Sequence, residues 1–390
     1  MCFNNTRNFK PMFRFLIILH FLFLFQCANA QENILRIGLF RTSVIKEITL
    51  ELSEHSQIKT QANLFIWGTK NRPKFHVKAQ GNRIEVFQNN LFLGSLKQVE
   101  CFSMEGFSVL LKPIAPNYKG NKYSGELRIS SENGTLKIIN TVDEFDYLTG
   151  VLRGEVGYDK SNALYEVHAI LSRTYARFYK DKHRSEGFDL CDQTHCQVFK
   201  GHFDYKPYQQ AIQSSKNLVV IDSLKGDLAE LLFHSNCGGQ TCASEDVWKS
   251  TLTYCRSIRD TFCLRSQQAI WQKQIPMDVF CNKLNIGIPI DLIAQNSLCE
   301  SICSISFNRP EILSIGNKKF KTIELRTKLN LKSAWFDWEC NGDSVLLFGR
   351  GFGHGVGMCQ EGAIRMSELG YSPNQIIKHY YRNVIIAERE

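Results

Sequence analysis

The sequence predicts an α+β protein in which a strand-rich N-terminal half leads into a mixed α/β region. Three observations carry that expectation. Between residues 34 and 139, short apolar runs at 34–40, 83–87, 107–111, 126–129 and 135–139 alternate with period two and are broken by Asn-Gly and Lys-Gly turns, the pattern of half-buried strands. From 159 to 182 the period changes, and Ala163, Val167, Ile170, Leu171, Thr174 and Phe178 fall on one helical face. Asp159 or Ser161 is the expected cap of that helix. Near the C-terminus, Ser372-Pro373-Asn374-Gln375 has capping-box spacing with proline at the first helical position, which predicts a short helix ending near Tyr381. A further helix at 361–369 is expected to stop at Gly370. The chain contains no internal repeat and no low-complexity linker.

The 390 residues are 43% hydrophobic and 22% charged, with only 9 Pro and 26 Gly, which excludes disordered and collagen-like classes. The 14 Cys are too many idle thiols for an ordinary cytosolic enzyme. Either an oxidising compartment or metal binding has to account for them. Residues 1–14 carry Arg7, Lys10 and Arg14 with no acid, residues 15–25 are apolar except for His20, and Ala28-Asn29-Ala30 supplies small residues. This reads as a secretory signal peptide over residues 1–30, cut after Ala30, because a run of about 11 apolar residues falls short of the roughly 20 that span a bilayer. A competing reading lipidates Cys27, although Gln26 is a poor residue to precede such a cysteine. Cleavage would remove Cys2 and Cys27, leaving 12 Cys, and three basic residues, taking the formal charge from +9 to +6. The expected location is therefore exported, periplasmic or envelope-associated, with membrane attachment only through a lipid on Cys27. No basic cluster with interleaved aromatics points to a nucleic-acid groove.

Four segments depart from what packing alone requires. Glu155 stands between Gly154 and Val156, ahead of the long helix; a carboxyl in a partly apolar, Gly-bounded turn can have a raised pKa and serve as a general acid, whereas most glutamates there are solvated or favour the helix dipole. In Cys191-Asp192-Gln193-Thr194-His195-Cys196 two thiols and an imidazole lie within six residues, the usual donors for Zn²⁺. A Cys191–Cys196 disulfide is the alternative, and a Cys191 or Cys196 nucleophile with His195 as base is disfavoured because such pairs come from distant segments. The third segment runs through His234-Ser235-Asn236-Cys237-Gly238-Gly239 to Glu245-Asp246-Val247-Trp248. The fourth, Gly349 to Ala363, has six glycines among its first 14 positions, which calls for positive φ or close backbone approach. It is not a phosphate loop, since no Lys-Ser/Thr follows the glycines. The ordinary reading of its single His354 is a hydrogen-bonded structural residue.

Taken in this order, the segments resemble the stage II sporulation protein D family, also called the SpoIID/LytB domain. The resemblance rests on Tyr147-Leu148-x-Gly150-Val151 with Glu155, on Ser172-Arg173-Thr174-Tyr175-Ala176, and on His195-Cys196-Gln197-Val198-Phe199-x-Gly201. It continues through His234-Ser235 with Gly238-Gly239, Ser244-Glu245-Asp246-Val247-Trp248, Gly351-x-Gly353-His354-Gly355-Val356-Gly357-Met358-x-Gln360-x-Gly362-Ala363 and His379-Tyr380-Tyr381. It spans about residues 34–385 and implies a SpoIID-like domain over 31–390, with an inserted strand-rich subdomain at about 57–101, the stretch that matches least well.

Members of the family are lytic transglycosylases that cleave peptidoglycan between N-acetylmuramic acid and N-acetylglucosamine, preferring strands without stem peptides, and relatives enhance an amidase. The resemblance therefore implies Glu155 as the catalytic acid/base, a zinc held through Cys191, His195 and Cys196, and glycan strands and a cell-wall amidase as partners. Arg173 and Tyr175 are expected to position the sugar, with helix-surface packing as their alternative. His234, Ser235, His354 and Gln360 are expected along the substrate cleft. A noncatalytic, wall-binding amidase enhancer is the alternative function. Two departures stand out: Cys359 occupies a usual serine position, and Cys237 and Cys242 flank Gly238-Gly239. Cys237 with Cys242, Cys255 with Cys263 and Cys299 with Cys303 are plausible local bridges, and Cys237 and Cys242 could instead join the metal site.

Overall fold

Alternation along the strands builds the first half. In a computed structural model, which describes residues 34–389 apart from 60–64, 105, 249, 288–308, 310, 316–317 and 342, the chain divides into two compact units. One comprises the residues up to Gly157 with Tyr179–Gln209, and the other Tyr158–Phe178 with Gln210–Glu390. The expected signal peptide, Cys27 and the Cys299–Cys303 pair lie outside the described residues. No described helix is long and apolar enough to cross a membrane.

The first unit holds strands β1 (Ile34–Leu39), β2 (Glu47–Leu52), β3 (Ser56–Lys59), β4 (Phe65–Trp67), β5 (Lys74–Gln80), β6 (Arg83–Gln88), β7 (Leu91–Leu96), β8 (Gln98–Ser103), β9 (Val109–Ala115), β10 (Asn121–Tyr123), β11 (Glu126–Glu132), β12 (Thr135–Asp143) and β13 (Leu190–Cys191). They form a seven-stranded sheet ordered β13-β1-β12-β11-β8-β3-β4 and a six-stranded sheet ordered β10-β9-β2-β5-β6-β7. Strands such as β2, with Ile48, Leu50 and Leu52, and β11, with Leu127 and Ile129, bury every second residue, because successive side chains leave opposite faces. The β11–β12 hairpin turns at Asn133 (φ 53°) and Gly134 (φ 76°), the left-handed pair that a two-residue hairpin requires.

Residues 57–101 do not close into a sheet of their own. Within that stretch β5 pairs with β2, and β8 pairs with β11, so its strands are interleaved with flanking ones in both sheets. The reason is the same alternation: each run has one apolar face and needs neighbours from outside the segment to cover it.

Helix α1 (Glu144–Glu155) follows β12 directly, its first turn capped by Asp143, whose carboxylate accepts from the Asp146 N–H at 2.7 Å. It buries Tyr147, Leu148, Val151 and Leu152. Glu155 is thus the last residue of a helix, not part of the turn that the sequence suggests.

In the second unit, α2 (Asn162–Phe178) is the expected long helix, and the Ser161 hydroxyl, not Asp159, accepts from the Leu164 N–H at 3.2 Å. Helix α3 (Lys206–Ser214) lies where the chain passes from the first unit to the second. The remaining elements are β14 (Leu218–Asp222), β15 (Phe233–His234), β16 (Ile270–Pro276), α4 (Met277–Leu284), β17 (Ile312–Ile315), β18 (Lys318–Lys321), α5 (Thr322–Leu329), β19 (Phe336–Asn341), β20 (Ser344–Arg350), β21 (Met358–Cys359), α6 (Gln360–Glu368), α7 (Pro373–Tyr380) and β22 (Val384–Glu388). β14 pairs with β22, β15 lies parallel to β21, and β16-β20-β19 form a sheet whose Trp271, Leu347 and Trp338 pack with Phe280 of α4 and Leu325 of α5. The capping box at Ser372 and Gln375 forms as expected, with both reciprocal hydrogen bonds present.

Arg173, expected to position a sugar, is 2% exposed. Its guanidinium donates to the carbonyls of Ser215 at 2.8 Å and Leu218 at 3.2 Å, closing the end of α3 and the start of β14 onto α2. A buried guanidinium spends its donors on backbone carbonyls because leaving them unpaired costs too much. Tyr175, at 6% exposed, is buried on the same helix. Replacing Arg173 by Met should therefore lower unfolding free energy by about 2–3 kcal/mol, measured by urea denaturation, while substrate affinity of the folded fraction stays unchanged; a selective loss of affinity would restore the sugar-binding role.

Candidate active site and metal centre

In the first unit, Gly150 and Gly154 lie one helical turn apart on α1. A Cβ at Gly150 would sit 2.5 Å from the Phe199 ring and 2.6 Å from the Gly201 carbonyl, and one at Gly154 would overlap the Val198 carbonyl. The two glycines therefore let the loop at 196–201 lie directly on the helix. The loop is fixed there by the Lys200 N–H to Gly150 O (3.1 Å), Arg153 to Lys200 O (3.0 Å) and the Tyr147 hydroxyl to Gln197 (3.1 Å), with the Tyr147 and Phe199 rings stacked at 5.4 Å.

That seating delivers the Val198 N–H to Glu155 Oε1 at 2.6 Å. Shielding from water is the largest influence on the Glu155 carboxyl and raises its pKa above the ordinary 4.5, with the Val198 N–H and Lys200 opposing. The negative end of the α1 dipole works in the same direction as the shielding. The result is a carboxyl held in one orientation and biased toward its protonated form, the state a general acid needs. Gly154→Ala should push the loop off the helix, costing about 1–3 kcal/mol by overpacking and loosening the Val198 contact; thermal denaturation and a Glu155 carboxyl titration followed by NMR would register both.

The same loop begins in a cluster of donors. His183 Nε2 lies 3.4 Å from Cys196 Sγ, and His195 Nδ1 lies 3.9 Å from Cys191 Sγ and 3.8 Å from Cys196 Sγ. Ligand atoms of all four residues fall within 4.8 Å of one another. His183 was absent from the sequence-derived set because it stands eight residues before Cys191. Its remaining nitrogen, Nδ1, meets Glu186 Oε1 at 2.7 Å, and Glu186 in turn takes the Arg41 guanidinium. A carboxylate on the far nitrogen of a histidine is the usual support for a metal-binding imidazole. Two thiols and two imidazoles in this arrangement fit a tetrahedral Zn²⁺ with all four positions filled by protein, and neither thiol is in a disulfide.

In the second unit the glycine-rich segment runs alongside residues 232–238. Gly351, Gly353, Gly355 and Gly357 have φ of 75°, 115°, 85° and 71°, values side chains avoid. A Cβ at Gly353 would stand 2.7 Å from His234 Cβ, and one at Gly351 2.6 Å from Asn236 O. His234 and His354 are brought together, their ring centroids 5.4 Å apart. His354 spends both nitrogens on backbone, Nε2 donating to Phe233 O at 3.0 Å and Nδ1 accepting from Val356 N–H at 3.1 Å. It is a structural residue, and it offers only its ring face and edge to a ligand. Burial lowers its pKa to about 4 and pushes that of His234 well below the ordinary value, so both rings are neutral at neutral pH. His234 Nδ1 faces Val356 O at 3.1 Å. Ser235 contributes its carbonyl to the Glu361 N–H, and Gln360 opens α6. Trp248, which the sequence motif contains without assigning it a role, is 39% exposed and lies 5.1 Å from the His354 ring. His354 also borders a cavity of about 370 Å³ lined by Thr241, Asp246, Arg309 and Arg326 among others.

The fold and these sites define a mixed α+β protein with a shielded acid beside a thiol and imidazole loop in one unit and a glycine-rich histidine segment in the other. The sequence model of the stage II sporulation protein family SpoIID matches residues 132–221, the stretch that carries Glu155 and the Cys/His loop. Stage II sporulation protein D of Bacillus amyloliquefaciens is 28% identical over 63% of this chain and 74% of its own length, and that of Bacillus subtilis is 27% identical over the same shares. The amidase enhancer of Bacillus subtilis is 26% identical over 60% of this chain and 39% of its own length. Over residues 132–221 the chain thus matches the SpoIID family, and it is similar to these named proteins over 60–63% of its length.

Proposed function

We propose that the protein is an exported peptidoglycan lytic transglycosylase acting on glycan strands that have lost their stem peptides. The observation that carries this reading is Glu155, shielded, oriented by the Val198 N–H and raised in pKa. In the first step its carboxyl proton passes to the glycosidic oxygen as the bond from muramic C1 breaks, releasing the N-acetylglucosamine 4-hydroxyl. The resulting carboxylate then takes the proton of the muramic C6 hydroxyl as that oxygen bonds to C1, giving a 1,6-anhydro end and restoring the acid. One carboxyl serves both steps because the nucleophile is the substrate's own, whereas a hydrolase needs a second carboxylate to activate water or form an intermediate. Trp248, exposed beside the His354 ring, is assigned to a sugar-binding surface within the second unit.

A zinc ion belongs to this reading, held by His183, Cys191, His195 and Cys196. When bound it supplies cross-links, not an open Lewis-acid position, since four protein donors complete its coordination. Cys196 is two residues from Val198, so the centre keeps in place the backbone donor that orients Glu155.

The test is digestion of denuded glycan strands in ¹⁸O-labelled water with analysis by mass spectrometry. The reading expects 1,6-anhydro-muramyl ends without label; labelled reducing ends would assign hydrolysis instead. A second reading, a noncatalytic amidase enhancer, is favoured by the relative that bears that name, and it expects no cleavage with a rise in the activity of an added amidase.

A further inference from the structure

A second thiol cluster lies in the other unit, built from other segments of the chain. Cys237 follows β15, Asp260 and Cys263 sit in the loop before β16, and Cys359 ends β21 at the N-cap of α6. All four are buried, and their ligand atoms fall within 4.8 Å of one another. Cys237 Sγ lies 3.4 Å from Cys263 Sγ and 3.3 Å from Asp260 Oδ2, close to the edge of about 3.8 Å that a tetrahedron of 2.3 Å Zn–S bonds implies. The bridges considered from sequence, Cys237 with Cys242 and Cys255 with Cys263, are not formed: all these thiols are free, and Cys237 instead faces Cys263 and Cys359.

The surroundings are those of a metal thiolate centre. Cys359 Sγ accepts the N–H of Cys237 at 3.2 Å and of Gly362 at 3.4 Å. Such N–H···S bonds favour charged sulfur. The Asp260 carboxylate, 0% exposed, takes the Tyr380 hydroxyl at 2.9 Å on Oδ2 and the Phe262 N–H at 2.9 Å on Oδ1. No arginine or lysine pairs with it among the described residues. A buried carboxylate beside three thiols lacks a positive partner, and a disulfide would remove two sulfurs without supplying one. A divalent ion supplies it, and three sulfurs with one oxygen are a donor set suited to zinc.

We propose that Cys237, Asp260, Cys263 and Cys359 hold a second, structural zinc ion, which ties the Gly238-Gly239 turn and the end of the glycine-rich segment to the loop at 260–263. The centre is independent of the glycan-cleaving reading and of the Cys/His site. It explains why cysteine, and not only small polar residues, occupies these positions.

Native mass spectrometry of the full chain, purified reduced and dialysed against zinc without chelator, should find two zinc ions in the wild type and one each in Cys359→Ser and Cys196→Ser. Alkylation of the wild-type chain should label Cys237, Cys263 and Cys359 only after chelation, a readout that survives if a variant fails to fold. One zinc in the wild type, unchanged by Cys359→Ser, overturns the proposal. So does protection of the three cysteines that chelation leaves untouched, or a Cys237–Cys263 disulfide in protein isolated without reductant.

Discussion

Glu155→Gln should leave the chain folded and reduce release of 1,6-anhydro products by at least about 10²–10⁴-fold, the contribution of a positioned general acid/base. The amide oxygen still accepts from the Val198 N–H, so the loop stays seated on α1 and only the transferable proton is lost. Retained cleavage in this variant would sink the enzymatic assignment of Glu155, while amidase stimulation by wild type and variant alike, with no cleavage by either, would establish the enhancer reading. The same substitution carries a pH signature. The folded-state pKa of Glu155 is raised above 4.5 by shielding from water, so folding favours its protonated form. That contribution is present below the unfolded pKa and is lost as pH rises through the folded value. Wild type and variant should therefore differ little in melting temperature below about pH 4, with the variant gaining toward neutrality. The cleavage rate of the wild type should fall as pH passes the raised pKa, because the acid is then deprotonated.

The second large effect is expected at the Cys/His loop. If the loop holds zinc as proposed, removing the ion, or replacing Cys196 by Ala, should unfasten residues 183–201, since His183, Cys191, His195 and Cys196 have no disulfide to replace it. At free zinc a thousandfold above its dissociation constant the ion contributes about 4 kcal/mol of stability, so chelation should lower the melting temperature in a zinc-dependent way. Cleavage should be lost together with the Val198 contact to Glu155, and both should return on adding zinc back. Loss of cleavage on chelation with the melting curve unmoved would instead make the ion a participant in the chemistry.

Much of this architecture was legible from local pattern. The β11–β12 hairpin followed from alternation around Asn133-Gly134, α2 from its 3.6-residue period, and α7 from the capping box at Ser372. Helix α1 was not legible, because Gly150 and Gly154 depress helix propensity. Their reason for being there is a partner more than 40 residues away, the loop at 196–201. His183 escaped for a related reason: nothing in its local sequence distinguishes a ligand, and only the folded loop brings it to Cys196 and its supporting Glu186. For Arg173 the sequence left a sugar contact and helix packing both open. A basic residue in a motif suggested a ligand contact, yet burial turned its donors onto the carbonyls of Ser215 and Leu218.

By itself the sequence determined the α+β class, the ordered motifs of the SpoIID family, Glu155 as the candidate acid, and a cysteine excess that called for metal or oxidation. Those features are written in short-range spacing and residue chemistry. The tertiary structure alone decided which strands share a sheet, that residues 57–101 are woven into both, and which cysteines meet. Cys237, Cys263 and Cys359 span more than 120 positions, and no local periodicity records a contact made only when distant segments close around one buried carboxylate.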